Sequence, residues 1–121
     1  MVVMSRQFLP GHIQFGTEKL AKKYNSTKLL VKNQGEQRAK LIRRRLDALR
    51  AAVVLDDLRN TPGRLHELKG DRKGQFSMDL DGPYRLLFVA NHNPVPACPE
   101  GGIDWTRITA VKILGVEDTH E

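Results

Sequence analysis

The chain has 121 residues, of which 40% are hydrophobic and 28% charged, and its net charge at neutral pH is +6. This length fits one domain with one core, taken as residues 1–121, while the composition excludes wholesale disorder and no apolar run reaches the roughly 18 residues of a membrane-spanning helix. The excess of Lys and Arg favours a polyanionic partner, either nucleic acid or an acidic protein.

The first part of the sequence predicts a strand and a short helix. Residues 12–16, HIQFG, alternate between polar and apolar side chains, as a short strand does. Thr17 is placed to cap the short helix that follows, and residues 25–33 are expected to form a polar connection. Asn33 and Glu36 have the spacing of a capping box, which predicts the start of a second helix.

The second helix has the clearest pattern in the sequence. Its apolar residues recur at steps of three and four, the period of one buried stripe: Ala39, Ile42, Leu46, Leu49 and Val53. Basic side chains surround this stripe: Arg38, Lys40, Arg43, Arg44, Arg45 and Arg50. The basic side is either a face for nucleic acid or the solvated surface of an amphipathic helix, and the sequence leaves both interpretations open.

The second half of the sequence predicts an antiparallel sheet. Pro62 and Gly63 end the helical part, because both residue types break helices. Residues 75–81, QFSMDLD, alternate as a half-buried strand requires, and turn residues at 81–83 lead into a partner strand at 84–90. These two strands are predicted to form a hairpin.

A long loop is expected before the last strand. Residues 91–105 contain three prolines and a Gly-Gly pair, a composition that disfavours regular strand pairing. The β-branched residues of 106–114 then predict a final strand. The predicted fold is α+β, with an N-terminal strand and two helices packed on one face of an antiparallel sheet of about four or five strands.

A dense polar turn and its flanking segments resemble a known family. The sequence RLHELKGDRKGQFSMDLDGPYRLLF, followed by a β-rich segment ending in VEDTH, is similar to the RelE/ParE superfamily of toxins from bacterial type II toxin–antitoxin systems. The greatest similarity is to the HigB branch, the plasmid maintenance killer proteins, which has three ordered motifs. Residues 68–78, 84–86 and 118–120 match those motifs, and the resemblance extends over about 38–90 and 106–120.

The resemblance implies a RelE-like fold and a ribosome-dependent endoribonuclease that cleaves mRNA in the decoding site, inhibiting translation and growth. It implies no metal or other cofactor. The implied partners are mRNA on the ribosome, with ribosomal RNA contacts, and a helix-turn-helix antitoxin of the HigA type. Operator DNA would be contacted only through the antitoxin complex, and no membrane partner is implied. The N-terminal apolar run is also too short for a secretory signal, so we expect a cytoplasmic protein.

The candidate site residues follow from the chemistry of RNA cleavage next to a 2′-hydroxyl. This reaction needs a base, an acid, and cations that offset charge on the phosphoryl oxygens. The candidates for binding phosphate and RNA are cations: Lys69, Arg72, Lys73 and Arg85. The candidate catalytic residues are His66 and His120, at positions where HigB-like proteins place an active-site histidine, with Asp118 to orient or activate His120.

Each candidate also has a structural interpretation. Arg72 and Lys73 would then flank a solvated turn, and Arg85 would form an ion pair at the sheet edge. In the same interpretation, His66 is a surface histidine and His120 belongs to a frayed terminus. A zinc site is not expected, because the histidines and the lone Cys98 lack the paired spacing of zinc ligands.

Two departures from the family pattern keep other functions open. Thr119 stands where the family has a tyrosine, and it can neither stack on a base nor assist proton transfer as well. The loop at 91–105 is longer than in relatives, so it could obstruct the site, cover it or offer Trp105 as a contact. The alternatives are a non-enzymatic ParE-like toxin that inhibits DNA gyrase, and an inactive relative that binds RNA or antitoxin.

Overall fold

The helical layer contains one more helix than the sequence pattern indicates. In a computed structural model that describes residues 12–118, strand β1 (Ile13–Phe15) is followed by helices α1 (Glu18–Tyr24), α2 (Thr27–Gln34) and α3 (Glu36–Ala51). The hydroxyl of Thr17 accepts the backbone N–H of Leu20 at 3.0 Å, which confirms the predicted cap of α1.

The predicted connection at residues 25–33 is wrong, because this segment forms most of α2. The Ser26 hydroxyl caps the helix by accepting the backbone N–H of Leu29 at 3.2 Å. The helix was hidden in the sequence because Leu30 is its one buried residue, so no apolar stripe is visible. The predicted capping box is also wrong, since Asn33 lies inside α2 and α3 begins after Gly35, which has no side chain to offer.

The predicted stripe on α3 is confirmed for Ala39, Ile42, Leu46 and Leu49, which are all buried. Val53 does not belong to it. The helix ends at Ala51, so the helical period no longer applies at Val53, whose exposed fraction is 62%. The turn that follows is a short 3-10 helix at Leu55–Leu58.

The sheet is mixed, and it has five strands within the described part of the chain. The strands after β1 are β2 (His66–Glu67), β3 (Gln75–Asp79), β4 (Tyr84–Ala90) and β5 (Val111–Asp118), and the spatial order is β1-β5-β4-β3-β2. All neighbours are antiparallel except β1 and β5, which run parallel. The predicted α+β class is therefore confirmed, with a parallel edge pair added to the expected antiparallel sheet.

The hairpin of β3 and β4 matches its prediction, whereas the last strand is displaced along the sequence. Strand β5 covers 111–118 rather than 106–114, because Asp104 accepts the backbone N–H of Thr106 and starts a 3-10 turn at Trp105–Arg107. The loop before it packs against the sheet. The Trp105 ring meets Phe76 edge-on at 5.4 Å, and the Arg59 guanidinium lies 4.2 Å above the Trp105 ring.

Strand alternation divides the sheet into two different faces. The helices pack on the face that carries Phe76, Met78, Leu86, Phe88 and Ile113, which form the core with the α3 stripe. The opposite face, called the open face below, carries the alternate residues of the same strands. On it, Ser77 and Leu87 are cross-strand partners and both are buried.

Two arginines of α3 hold the β3–β4 hairpin against the helical layer. Arg38 donates two hydrogen bonds to the Asp81 carboxylate, at 2.8 and 3.2 Å, and its guanidinium lies 3.5 Å above the Tyr84 ring. Arg45 donates from Nε to the Asp79 carbonyl at 2.9 Å. These contacts give Arg38 and Arg45 a structural role, while Lys40, Arg43, Arg44 and Arg50 stay exposed on the same helix.

The Arg38 contacts predict a measurable stability difference between two arginines of one helix. Arg38→Ala removes the paired hydrogen bonds and the cation–π contact, and should lower the free energy of unfolding by about 1–2 kcal/mol. The matched control is Arg44→Ala, an exposed position where we expect little change. Urea unfolding followed by circular dichroism measures both, and equal midpoints for the two variants would contradict the structural role of Arg38.

The same ion pair predicts a pH dependence of stability. Arg38 lowers the pKa of Asp81 from its ordinary value of 3.8, chiefly through the hydrogen bond between them. A depressed carboxyl pKa adds stability that is present above the ordinary pKa and is lost as the pH falls through the depressed one. The stability gap between the wild type and Arg38→Ala should therefore narrow as the pH falls below about 4, and a constant gap would contradict it.

Candidate active site

His66 lies on the open face at the edge of the sheet. It pairs with Ser77 across β2 and β3, and the Ser77 hydroxyl oxygen lies 3.4 Å from Nε2 and 3.5 Å from Nδ1. Nδ1 also lies 3.2 Å from the Arg64 carbonyl oxygen, which can only accept a hydrogen bond. An Nδ1–H that donates there leaves Nε2 with the lone pair, so this ring can accept a proton.

Arg72 lies across the middle of the same face. It ends the 3-10 turn Gly70–Arg72, and its guanidinium donates to Gln75 at 3.4 Å and, through a short contact, to the Glu117 carboxylate. Gln75 is on β3 and Glu117 is on β5, with β4 between them. A guanidinium that contacts both residues must lie above β4, beside the row formed by His66, Ser77 and Leu87.

Arg85 is on the open face but its guanidinium is held by the hairpin. Its Nε lies 2.9 Å from Asp79 Oδ1, and Nη1 donates to the carbonyls of Gly82 and Tyr84, both at 3.1 Å. The Asp79 carboxylate also pairs with Arg64 at 3.0 Å, and its hydrogen bond to Arg64 raises the pKa of that guanidinium. Arg85 therefore matches the structural interpretation of an ion pair within the sheet.

The two lysines of the polar turn remain on the surface. Lys69 precedes the 3-10 turn and Lys73 follows it, and both side chains are exposed. Gly70 and Gly74 flank Arg72 with positive φ angles of 64° and 94°, a backbone region that favours glycine. The turn therefore folds Arg72 onto the sheet and leaves the lysines around its rim.

The register separates Asp118 from this cluster of cations. Asp118 pairs with Tyr84, which packs against the helix-side core, whereas the preceding Glu117 pairs with Arg85. Because successive strand residues point to opposite faces, Glu117 is the acid that faces the site and Asp118 points to the other side. His120 and Thr119 lie outside the described residues 12–118, so their predicted roles stay predictions.

Four other side chains with functional chemistry, an aromatic ring, two histidines and a thiol, are occupied elsewhere. Arg38 covers one face of the Tyr84 ring, which leaves that face closed to a nucleobase. His12 Nε2 lies 3.0 Å from the Leu49 carbonyl oxygen, and His92 Nε2 accepts the Thr109 backbone N–H at 3.0 Å, so both serve the backbone. Burial raises the pKa of the Cys98 thiol, which keeps it protonated.

Between residues 12 and 118, no group of three or more His, Cys, Asp or Glu side chains is arranged to hold a metal ion. In that range, no helix combines the length and apolar character needed to cross a membrane.

The sequence pattern missed the polar residues that complete this face: Gln75, Ser77 and Glu117. Ser77 was recognised only as the polar side of an alternating strand, yet it is 1% exposed and lies against His66. Glu117 was missed because the predicted last strand stopped at 114. Strand alternation from Arg85 would have found it once the β4–β5 register was known.

The fold, three α-helices and a five-stranded mixed sheet over residues 12–118, has a solved relative. It is similar to a solved structure titled YoeB–YefM complex from Staphylococcus aureus, with a TM-score of 0.52, 16% sequence identity, and coverage of 90% of this chain and 95% of that chain. At this identity the likeness concerns the fold alone. A comparison with curated proteins gave no match.

The family is shown by a sequence model. The model of the RelE-like toxin of the type II toxin–antitoxin system HigB matches residues 13–97, which is more than half of the chain. The protein therefore belongs to the HigB-like toxin family, as the sequence motifs predicted. The match ends inside the loop that precedes β5, so Glu117 and Asp118 lie beyond it.

The contact between Glu117 and Arg72 predicts a gain of RNA binding when its charge is removed. The carboxylate competes with any phosphate for the guanidinium, and exposed ion pairs are worth up to about 1 kcal/mol, or roughly fivefold in affinity. Glu117→Gln should therefore bind a short RNA oligonucleotide up to about fivefold more tightly, measured by fluorescence anisotropy at fixed salt.

A matched control separates this effect from the change in net charge. Glu100→Gln makes the same charge change on the exposed loop at 91–105. An equal gain for both variants would contradict a local competition at Arg72. The double variant Arg72→Ala/Glu117→Gln should lose the gain.

Proposed function

We propose that the protein is a ribosome-dependent endoribonuclease that cleaves mRNA in the decoding site and thereby inhibits translation and growth in the cytoplasm. The observation that carries the proposal is the placement of Arg72 and His66 on one sheet face, next to the buried Ser77. Family membership supports the same activity, since it makes the protein a toxin of a type II toxin–antitoxin system.

The proposed chemistry uses side chains without a metal cofactor. His66, with its lone pair on Nε2, removes the proton of the 2′-hydroxyl, and Ser77 orients the ring. Arg72 binds the phosphate through two parallel hydrogen bonds from its guanidinium. Lys69 and Lys73 attract the RNA backbone to the rim of the site. In this proposal Arg85 supports the hairpin through its ion pair with Asp79 and adds positive charge to the same sheet face.

The acid that protonates the leaving 5′-oxygen is proposed to be His120, on the family resemblance alone. Asp118 is proposed to act on His120 rather than on the cations, because its register partner is Tyr84. This assignment keeps the base and the acid on different segments, His66 on β2 and His120 two residues beyond the end of β5.

The proposed partners are the ribosome and an antitoxin. The structural relative was solved as a complex with YefM, which supports a protein antitoxin as a partner of this chain. The helix-turn-helix HigA type of this antitoxin is proposed on the family resemblance alone. Exposed basic residues of α3, Lys40, Arg43 and Arg44, are proposed to contact ribosomal RNA. Operator DNA would then be reached through the antitoxin complex.

A ParE-like inhibitor of DNA gyrase is the second candidate. The observation that favours it is the register of β5, which turns Asp118 to the face opposite His66, so two of the candidate catalytic residues do not share the open face. Such a toxin acts through protein contacts and needs neither His66 nor Arg72. A gyrase supercoiling assay separates the two, because inhibition there is expected only for the second candidate.

The proposed activity predicts translation-dependent cleavage that requires the open face. Inducible expression should arrest growth and produce new mRNA ends, and the purified protein should cut mRNA on programmed ribosomes. His66→Ala should lower the cleavage rate by about 100-fold or more, the usual contribution of a general base. Arg72→Ala should lower it as well, since a phosphate contact is lost.

Primer extension on ribosome-bound and free mRNA measures the cleavage. The control is Lys28→Ala, which removes an exposed cation from α2 and should leave cleavage unchanged. Growth arrest without cleavage, or full activity in both His66→Ala and Arg72→Ala, would overturn the proposed function.

A further inference from the structure

Two amide side chains and a lysine form a cluster at the end of the open face that is far from the hairpin turn. Gln14 of β1 pairs with Lys112 of β5, and Asn91 directly follows β4. The Asn91 side chain donates from Nδ2 to Gln14 Oε1 at 3.1 Å, although β5 lies between their strands. The amides therefore meet above β5, and these three residues are called the amide cluster.

The amide cluster continues the face that carries Arg72 and His66. Along β4 the open-face residues are Arg85, Leu87 and Val89, and the same alternation leads to Asn91. Asn91 lies four residue steps after Leu87, which is beneath Arg72, and four steps span about 13 Å along a strand. A polynucleotide held by Arg72 can therefore run along β4 to the amide cluster without leaving the sheet.

The cluster has the chemistry of base recognition. The Asn91–Gln14 hydrogen bond uses one donor and one acceptor, so Asn91 Oδ1 and Gln14 Nε2 are left over as an acceptor and a donor, on one exposed and one half-buried residue. Turning both amides over exchanges these roles and again leaves one of each. Paired donors and acceptors are what Asn and Gln use on nucleobase edges, and single-stranded RNA exposes those edges.

The surroundings favour a base over an acidic peptide. Lys112 supplies one positive charge, enough for one phosphate, while the two amides are neutral. Leu114 is two residues after Lys112 on β5, at the bulge where the β4–β5 register shifts, and it is 40% exposed, so it offers an apolar surface for a flat ring. An acidic peptide would gain more from the cations around Arg72.

We propose that the amide cluster is a nucleobase subsite, in which Gln14 and Asn91 read one base of the mRNA near the cleaved phosphodiester. The inference rests on the proposed endoribonuclease function and adds the source of its base preference. Contacts from Arg72, Lys69 and Lys73 to phosphates carry no sequence information, whereas amide contacts to a base edge do.

The test compares base preferences around the cut in wild type and Gln14→Ala/Asn91→Ala. Cleavage ends are mapped over a pool of mRNAs, and the preference at each position is expressed as a ratio of bases. At one position the wild-type ratio should fall by about fivefold or more in the double variant, while cleavage continues. The isosteric Asn91→Asp should change which base is preferred. It removes the donor to Gln14 Oε1, so Gln14 must turn over and donate from Nε2, and the pair then offers acceptors only.

A second amide pair in the same protein supplies the control. Gln34 donates to Asn33 at 2.7 Å on α2, so Gln34→Ala removes a similar pair from the helical layer and should leave every ratio unchanged. Cleavage by the double variant with wild-type preferences would overturn the subsite and leave the proposed function intact. Circular dichroism establishes that each variant is folded.

A binding measurement distinguishes failure of the subsite from failure of the proposed function. RNA oligonucleotides that differ at one base are titrated against wild type and the double variant, with no ribosome present. Absence of cleavage by wild type would overturn the endoribonuclease, and base discrimination lost in the double variant would still support the subsite. No base discrimination by wild type in either assay would overturn the subsite.

Discussion

The cluster around Asp79 is the interaction on which the arrangement of the site depends. The Asp79 carboxylate forms ion pairs with Arg64 and Arg85, and the Asp79 backbone carbonyl accepts a hydrogen bond from Arg45 of α3. One residue at the end of β3 thus joins the helical layer, the segment before β2 and the partner strand. Gly63 allows this close approach, because a Cβ there would lie 2.7 Å from Arg45 Nε. The hairpin that carries Ser77 is fixed in position by these contacts.

These contacts show that part of the basic composition serves the fold. Four arginines are held by hydrogen bonds or ion pairs to the β3–β4 hairpin, so their charges stabilise the fold: Arg38, Arg45, Arg64 and Arg85. The net charge of +6 is consequently a poor guide to where an anion binds. Arg72 differs, because its partner Glu117 is a half-exposed carboxylate on another strand, and such a pair costs little to open.

The sequence predicted elements well where one local rule applied, and less well where two competed. The α3 stripe and the β3–β4 hairpin follow single periodic patterns, and both were found. Helix α2 lacks a stripe, and the start of β5 is delayed by the cap that Asp104 provides, so no periodic pattern could mark either boundary. The polar turn and His66 were identified through family motifs, while Glu117 required a strand register that no local pattern contains.

The arrangement of charged and polar groups on the open face follows from strand alternation and from the turn at residues 69–74. Alternation alone gives rows of residues along β3, β4 and β5, and none of these rows places a cation above the buried Leu87. The turn at 69–74 does so by folding Arg72 back over β4, with glycines at Gly70 and Gly74 that accept positive φ angles. The charge that meets a phosphate therefore comes from the turn, while the sheet supplies the polar groups around it. Arg72 can therefore be replaced without disturbing the core, because the turn and the core share no residue.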